Sequence, residues 1–256
     1  MRRLTRICLI AACGLIWAMA SGGAEARPIS LRDILSGMRG AETRPHPSAP
    51  PVARYTPDAG RPFVLDRSTP VTLLRFEDSP EIWVLQPQPG PRGDIIYRND
   101  LGEPMLRYTR LGGLTVFTID HPDGEAAAFA GEAGALHALP ILTPSALLQR
   151  LAQASAHASH AAQRLVEFDA PDVTPATATV FADTAIVAAD AIGNVSHKSE
   201  AHKFLSKLAK VLLVPGHKVG AVFNEGVLQV TIDGRQGLAG RPSSRRIIMA
   251  LMGSAP

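Results

Sequence analysis

Apolar positions along this chain fall into three textures. The first is an unbroken run: Ile7 to Ala20 carries no charge, stands behind Arg2, Arg3 and Arg6, and is followed by small residues from Ser21 onward. After Phe63, short groups of β-branched and aromatic residues recur, each closed by turn-forming residues, which is the pattern of a β-meander. They predict strands over Val71 to Phe76, Ile82 to Leu85, Ile95 to Tyr97, Met105 to Tyr108 and Leu114 to Ile119. Pro89-Gly90-Pro91-Arg92-Gly93, Asn99-Asp100-Leu101-Gly102 and Gly112-Gly113 supply the breaks, because these residues accept tight or left-handed geometry. Links so short join antiparallel neighbours.

After Leu142 the spacing turns helical. Thr143 is placed to cap a helix that Pro144 opens, and Leu148, Leu151, Ser155, Ala158, Ala162 and Leu165 form a narrow stripe at intervals of three and four. Thr174-Pro175 repeats the cap signature and opens a segment to Ile192, whose alternating threonine and alanine also suit a strand. A third helix is expected from about Ser199 to Leu213, with Phe204, Leu205, Leu208 and Leu212 on one face and Lys203, Lys207 and Lys210 on another. Val219 to Phe223 and Val227 to Ile232 alternate around Asn224-Glu225-Gly226 as a hairpin that turns Leu228, Val230 and Ile232 to the core. A terminal helix begins near Ser243 or Ser244. The fold class expected is α+β: an antiparallel β-meander half, 61–142, then a helical half, 143–256, with a β-hairpin and a terminal helix.

The first texture reads as a secretory signal peptide over residues 1–26, since the apolar run is short for a membrane span and Ala24-Glu25-Ala26 suits a signal peptidase. Ala18-Met19-Ala20 is an earlier alternative. Ile10-Ala11-Ala12-Cys13 resembles a lipobox and would make Cys13 a lipid anchor. Ordinary cleavage leaves a mature chain from Arg27, periplasmic or secreted, with no transmembrane helix. Residues 27–60 are rich in proline, alanine and arginine; Ser30 to Met38 reads as a short helix, and the stretch to Pro51 as a semi-extended spacer.

Composition sharpens this picture. The only cysteines, Cys8 and Cys13, lie inside the leader, so the mature chain has no disulfide or thiolate and is held by its core alone. The formal charge of +3 includes three arginines and one glutamate of the leader; the remainder holds 23 basic and 22 acidic residues. A balance so near neutral excludes a general nucleic-acid binder, which needs a concentrated basic face, although the whole-chain pI is 9.1.

Chemistry is sparse. Gly237-Leu238-Ala239-Gly240-Arg241-Pro242-Ser243-Ser244-Arg245-Arg246 delivers two serines and three arginines to a helix start. Free N–H groups there attract anions, and arginines in a first helical turn call for a negative counterpart, so Arg241, Ser243, Ser244, Arg245 and Arg246 form an anion-binding candidate. The competing reading is a serine cap with internal Asp or Glu partners. Lys203, Lys207 and Lys210 beside an apolar face suggest contact with an anionic membrane surface. His157 and His160, with Glu167 further along, and His197, Glu200 and His202 are the groups whose spacing could suit a metal; neither converges tightly without a distant third ligand, and no metal or cofactor is implied. Asp66, Glu77, Asp78, Asp94, Asp100 and Glu103 offer carboxylates for a hydrolase. Arg92-Gly93-Asp94 matches an adhesion tripeptide at the level of chance, and Asn194-Val195-Ser196 fits a glycosylation sequon, which matters only in a eukaryotic secretory pathway. No nucleophile elbow, zincin helix, phosphate loop or dinucleotide fingerprint occurs.

Leu74 to Trp83, Pro91 to Pro104 and Ala239 to Arg246 together resemble a domain-of-unknown-function family of exported alphaproteobacterial proteins. The resemblance implies a Gram-negative envelope and brings no activity or site residue. The expectation is a non-catalytic binding or structural module for an anionic ligand or an envelope protein, with a periplasmic hydrolase as the alternative.

Overall fold

The computed structural model describes residues 50–136, 141–198 and 200–253. The leader, the short helix expected at Ser30 to Met38 and the spacer up to residue 49 lie outside the described residues. Eight strands come first: β1 Val52–Pro57, β2 Phe63–Asp66, β3 Thr72–Phe76, β4 Trp83–Pro89, β5 Ile95–Arg98, β6 Pro104–Tyr108, β7 Leu114–Val116 and β8 Glu125–Glu132. Each pairs antiparallel with the next, and β8 returns to β1, with Tyr55 opposite Phe129, so the meander closes into a barrel. Alternation explains its filling: Tyr55, Phe63, Leu65, Leu74, Phe76, Leu85, Leu106 and Val116 point inward and are buried, as a barrel of this size requires.

The β-rich part starts at Val52, directly after the expected spacer and inside the proline-, alanine- and arginine-rich stretch 27–60. Prolines flank Val52-Ala53-Arg54-Tyr55-Thr56-Pro57, yet Ala53 and Tyr55 alternate with exposed Arg54 and Thr56 and bury fully, which pins the strand. β2 and β8 were likewise not foreseen. β8 is Glu-Ala-Ala-Ala-Phe-Ala-Gly-Glu, a composition with little strand propensity, and it is extended because both neighbours demand a partner to close the ring.

The second half contains α1 Pro144–Ala162, β9 Glu167–Asp169, α2 Ala178–Ser196, α3 Ala201–Leu205, β10 Lys210–Pro215, β11 Gly220–Asn224, β12 Val227–Ile232 and α4 Ser244–Leu251. The sheet runs β11-β12-β10-β9; β10 is parallel to both neighbours, and β11 and β12 form the expected antiparallel hairpin. Leu228, Val230 and Ile232 are fully buried. Thr143 caps α1, accepting the Ala146 N–H at 3.2 Å, with Pro144 behind it. Its buried stripe is Leu147, Leu151, Ala154 and Ala158; Leu148 and Leu165, placed on that stripe by spacing, are 67% and 70% exposed. α2 is a helix rather than a strand. By length and composition it could cross a membrane, but 67% of its apolar window is buried in the core.

The third helix is corrected most. Helix runs only from Ala201 to Leu205, and the chain then enters β10. β10 lies between β9 and β12, so its interior sequence is the continuous apolar run Val211-Leu212-Leu213-Val214, which cannot be told from a helical stripe by periodicity. The halves keep separate cores, one inside the barrel and one between the helices and the small sheet. A third, small cluster joins them: Val64, Leu73, Ile82 and Leu136 on the outer barrel face, with Leu238 from the second half against it.

Candidate functional site

The segment between β12 and α4 brings the predicted arginine–serine run to the joint between the halves. It starts at Asp233, buried at the end of β12, which accepts from Arg235 Nε at 2.9 Å and Nη2 at 2.8 Å and from Gln236 Nε2 at 3.0 Å. The Asp233 N–H donates to the Gly240 carbonyl at 2.7 Å, closing a compact loop over Gly234–Gly240. Gly240 is required there, because an added Cβ would sit 1.8 Å from the Asp233 carbonyl oxygen. Arg235 holds the Asp233 carboxyl far below the usual carboxylate range. A loop tied in this way carries Leu238 to the barrel wall and Arg241 into the joint.

Arg241 is 5% exposed. Its Nη2 donates to the Ile82 carbonyl at 2.6 Å, its Nε lies 2.5 Å from Asp183 Oδ2 of α2, and its Nη1 lies 3.6 Å from Glu81 Oε1. Glu81, in the turn before β4, accepts the Ser244 N–H at 2.9 Å on one oxygen and the Ser244 hydroxyl at 2.5 Å on the other. Burial pushes its carboxyl up, against the opposing pull of Arg241 and the two Ser244 hydrogen bonds. Asp100, in the turn between β5 and β6, accepts the Ser243 N–H at 3.2 Å and Arg246 Nε at 2.8 Å. The Asp100 carbonyl also accepts from Arg246 Nη2. Arg245 Nε lies 3.3 Å from Glu103 Oε1, in the same turn, which Asn99 stiffens by accepting from the Leu101 and Glu103 N–H groups. Ser243 caps α4, accepting the Arg246 N–H at 3.2 Å.

The negative counterpart that the helix start called for is therefore internal. Carboxylates of the barrel take the Ser243 and Ser244 N–H groups and contact Arg245 and Arg246 at the positive end of α4, while Asp183 of α2 contacts Arg241. Glu81 and Asp183 were not singled out from sequence; the signal that points to them is the demand of Arg241 to Arg246 for acid. A narrow cleft of about 70 Å³ opens along the joint, lined by Glu81, Trp83, Gln86, Asp100, Leu238 and Arg241. A wider groove of about 370 Å³ lies between α1 and the β9–β10 edge, where Leu148, Leu151 and Phe168 face the Lys210–Asp169 ion pair at 2.7 Å.

The other nominated residues disperse. Lys203 is on α3 beside Glu200 at 2.9 Å, Lys207 follows that helix, and Lys210 is on β10, so the cationic helical face does not form. His157 lies 3.5 Å from Asp190 of α2, and Glu167 is on β9 rather than in the helix of the histidines. Among the described residues no three metal-ligating side chains gather. The β-half acids are engaged: Glu77 with Arg54 at 2.7 Å, Asp78 with Arg61 at 3.3 Å, Asp94 with Arg107 at 2.7 Å, and Asp66 with the Leu136 N–H at 2.8 Å. Asp94 of the adhesion-like tripeptide is thereby held against its own barrel.

A family model described as a domain of unknown function (DUF4908) matches residues 30–251. No curated protein and no solved structure matches the chain.

Proposed function

The chain belongs to the family described as a domain of unknown function (DUF4908), and on that footing we propose that it is an exported, non-catalytic envelope module with a structural role, in which a barrel and a helix–sheet body are latched into one unit for contact with a protein partner. The observation that carries this reading is the joint itself. Arg241, Ser243, Ser244, Arg245 and Arg246 all meet carboxylates or carbonyls of the same chain. The acids that a hydrolase would recruit from the β-loops are held by arginines or backbone N–H groups. Export rests on the leader sequence, and the family match beginning at residue 30 is in keeping with a working chain that starts near Arg27.

The test has two arms. Expression of the full chain in a Gram-negative host, followed by fractionation and N-terminal sequencing, should recover a periplasmic protein beginning near Arg27; retention of an intact leader in the cytoplasm would refute export. A thermal-shift series with inorganic phosphate, nucleotides and anionic glycans should leave the melting temperature unchanged, because a ligand that binds the native state raises it. A rise with phosphate that disappears in Arg245→Ala/Arg246→Ala would replace the structural reading with an anion site.

A further inference from the structure

The latch holds more acid than base. Glu81, Asp183, Asp100 and Glu103 face Arg241, Arg245 and Arg246, and two of these pairings are plain: Asp100 takes Arg246 and Glu103 takes Arg245. Glu81 and Asp183 are left to share Arg241, and they share it unequally, at 3.6 Å and 2.5 Å. Glu81 is 4% exposed, so its carboxylate would be buried with only the distant edge of a guanidinium already committed elsewhere. A buried charge without its own partner neutralises itself by taking a proton.

We infer that the joint is a proton-operated clasp, in which Glu81 sits as the neutral acid between the barrel and α4 and its ionisation loosens one half from the other. The 2.5 Å contact with Ser244 serves the neutral form equally well, the carboxylic O–H donating to Ser244 Oγ while the Ser244 N–H still donates to the other oxygen. The charged groups that meet at the joint set the balance around Glu81: Arg241 from the loop, Asp183 from α2, Asp100 and Glu103 from the β5–β6 turn, and Arg245 and Arg246 from α4, while Glu77, Asp78, Asp190 and Arg235 on the same elements are paired away from it. With Glu81 neutral the three remaining acids match the three arginines; with Glu81 ionised the joint carries one surplus negative charge.

The direction of the pH effect follows from linkage. Burial raises the folded-state pKa of Glu81 above its ordinary 4.5, so between those values the folded chain binds more protons than the unfolded one, and stability falls as pH rises through the interval. Trp83 lines the cleft at this joint, and in a Trp17→Phe background it is the sole tryptophan. In protein purified after expression of the full Trp17→Phe chain, raising pH from about 5 to about 9 should lower the denaturation midpoint and shift Trp83 emission to longer wavelength. Glu81→Gln, which keeps the shape and removes this titration, should show a smaller fall in the midpoint and no shift of Trp83 emission. Equal pH responses in the two proteins, or none in the parent, would overturn the clasp. Should Glu81→Gln fail to fold, the Glu81 carboxyl can be followed in the parent by carbon NMR: titration well above the exposed glutamates supports the clasp, and titration among them refutes it.

Discussion

Arg241 ties the loop before α4 to two other elements through one guanidinium, donating to the Ile82 carbonyl of the barrel turn that also holds Glu81 at longer range and forming an ion pair with Asp183 of α2. Removing Arg241 leaves the Asp183 carboxylate without its cation in a largely buried joint, so Arg241→Ala is expected to cost about 3–5 kcal/mol, read as a lower midpoint in chemical denaturation. Arg241→Lys should recover little of it, because a single ammonium cannot reach three acceptors set apart around a planar fork. A different acid governs the acid limb of the stability curve. Hydrogen bonding from Arg107 holds Asp94 below its ordinary 3.8, so its contribution is complete at neutral pH and is lost as pH falls through the lowered value. Asp94→Asn should lower stability at neutral pH and remove that part of the acid sensitivity, which parallel denaturation series at neutral and acid pH will show. At this scale the sequence was informative about need rather than identity: three arginines at a helix start implied acid nearby, but only the fold could say that Glu81, Asp100, Asp183 and Glu103 provide it.

Among the elements, those with local signals were legible and those defined by their neighbours were not. Thr143 and Pro144 announce α1 on their own, and the structure puts the cap where the pair implies; Thr143→Ala should cost about 1 kcal/mol and lower the melting temperature by about 2–4 °C, measured by calorimetry. The β11–β12 hairpin declares itself by alternation around Asn224-Glu225-Gly226 in the same way. β8 and β10 behave oppositely. β8 is alanine-rich and becomes a strand because β1 and β7 must each pair, while β10 is apolar from Val211 to Val214, an interior strand parallel to both neighbours whose Val211 and Leu213 are buried. Periodicity within one segment contains neither fact. The dispersal of Lys203, Lys207 and Lys210 follows directly from this: a stripe drawn at helical spacing has no meaning across a helix, a turn and a parallel strand.

For the whole molecule, two separate cores within one compact unit make cooperativity a property of the joint. Leu238 and the Arg241 cluster carry that coupling, so Arg241→Ala should split the thermal transition: far-UV signals from α1 and α2 and near-UV signals from the barrel tyrosines, coincident in the parent chain, should separate. Coincident transitions in the variant would mean that the small apolar cluster alone couples the halves. The latch also spans most of the chain, since Glu81 and Ser244 stand 163 positions apart. Synthesis proceeds from the N-terminus, so the barrel strands emerge long before the segment that covers Ile82 and Glu81. A chain broken off before Arg241 lacks the groups that bond the Ile82 carbonyl and the Glu81 carboxyl, and leaves that polar seam of the barrel without its partners. The two halves therefore cannot be joined at this seam until residues 241–246 have been made.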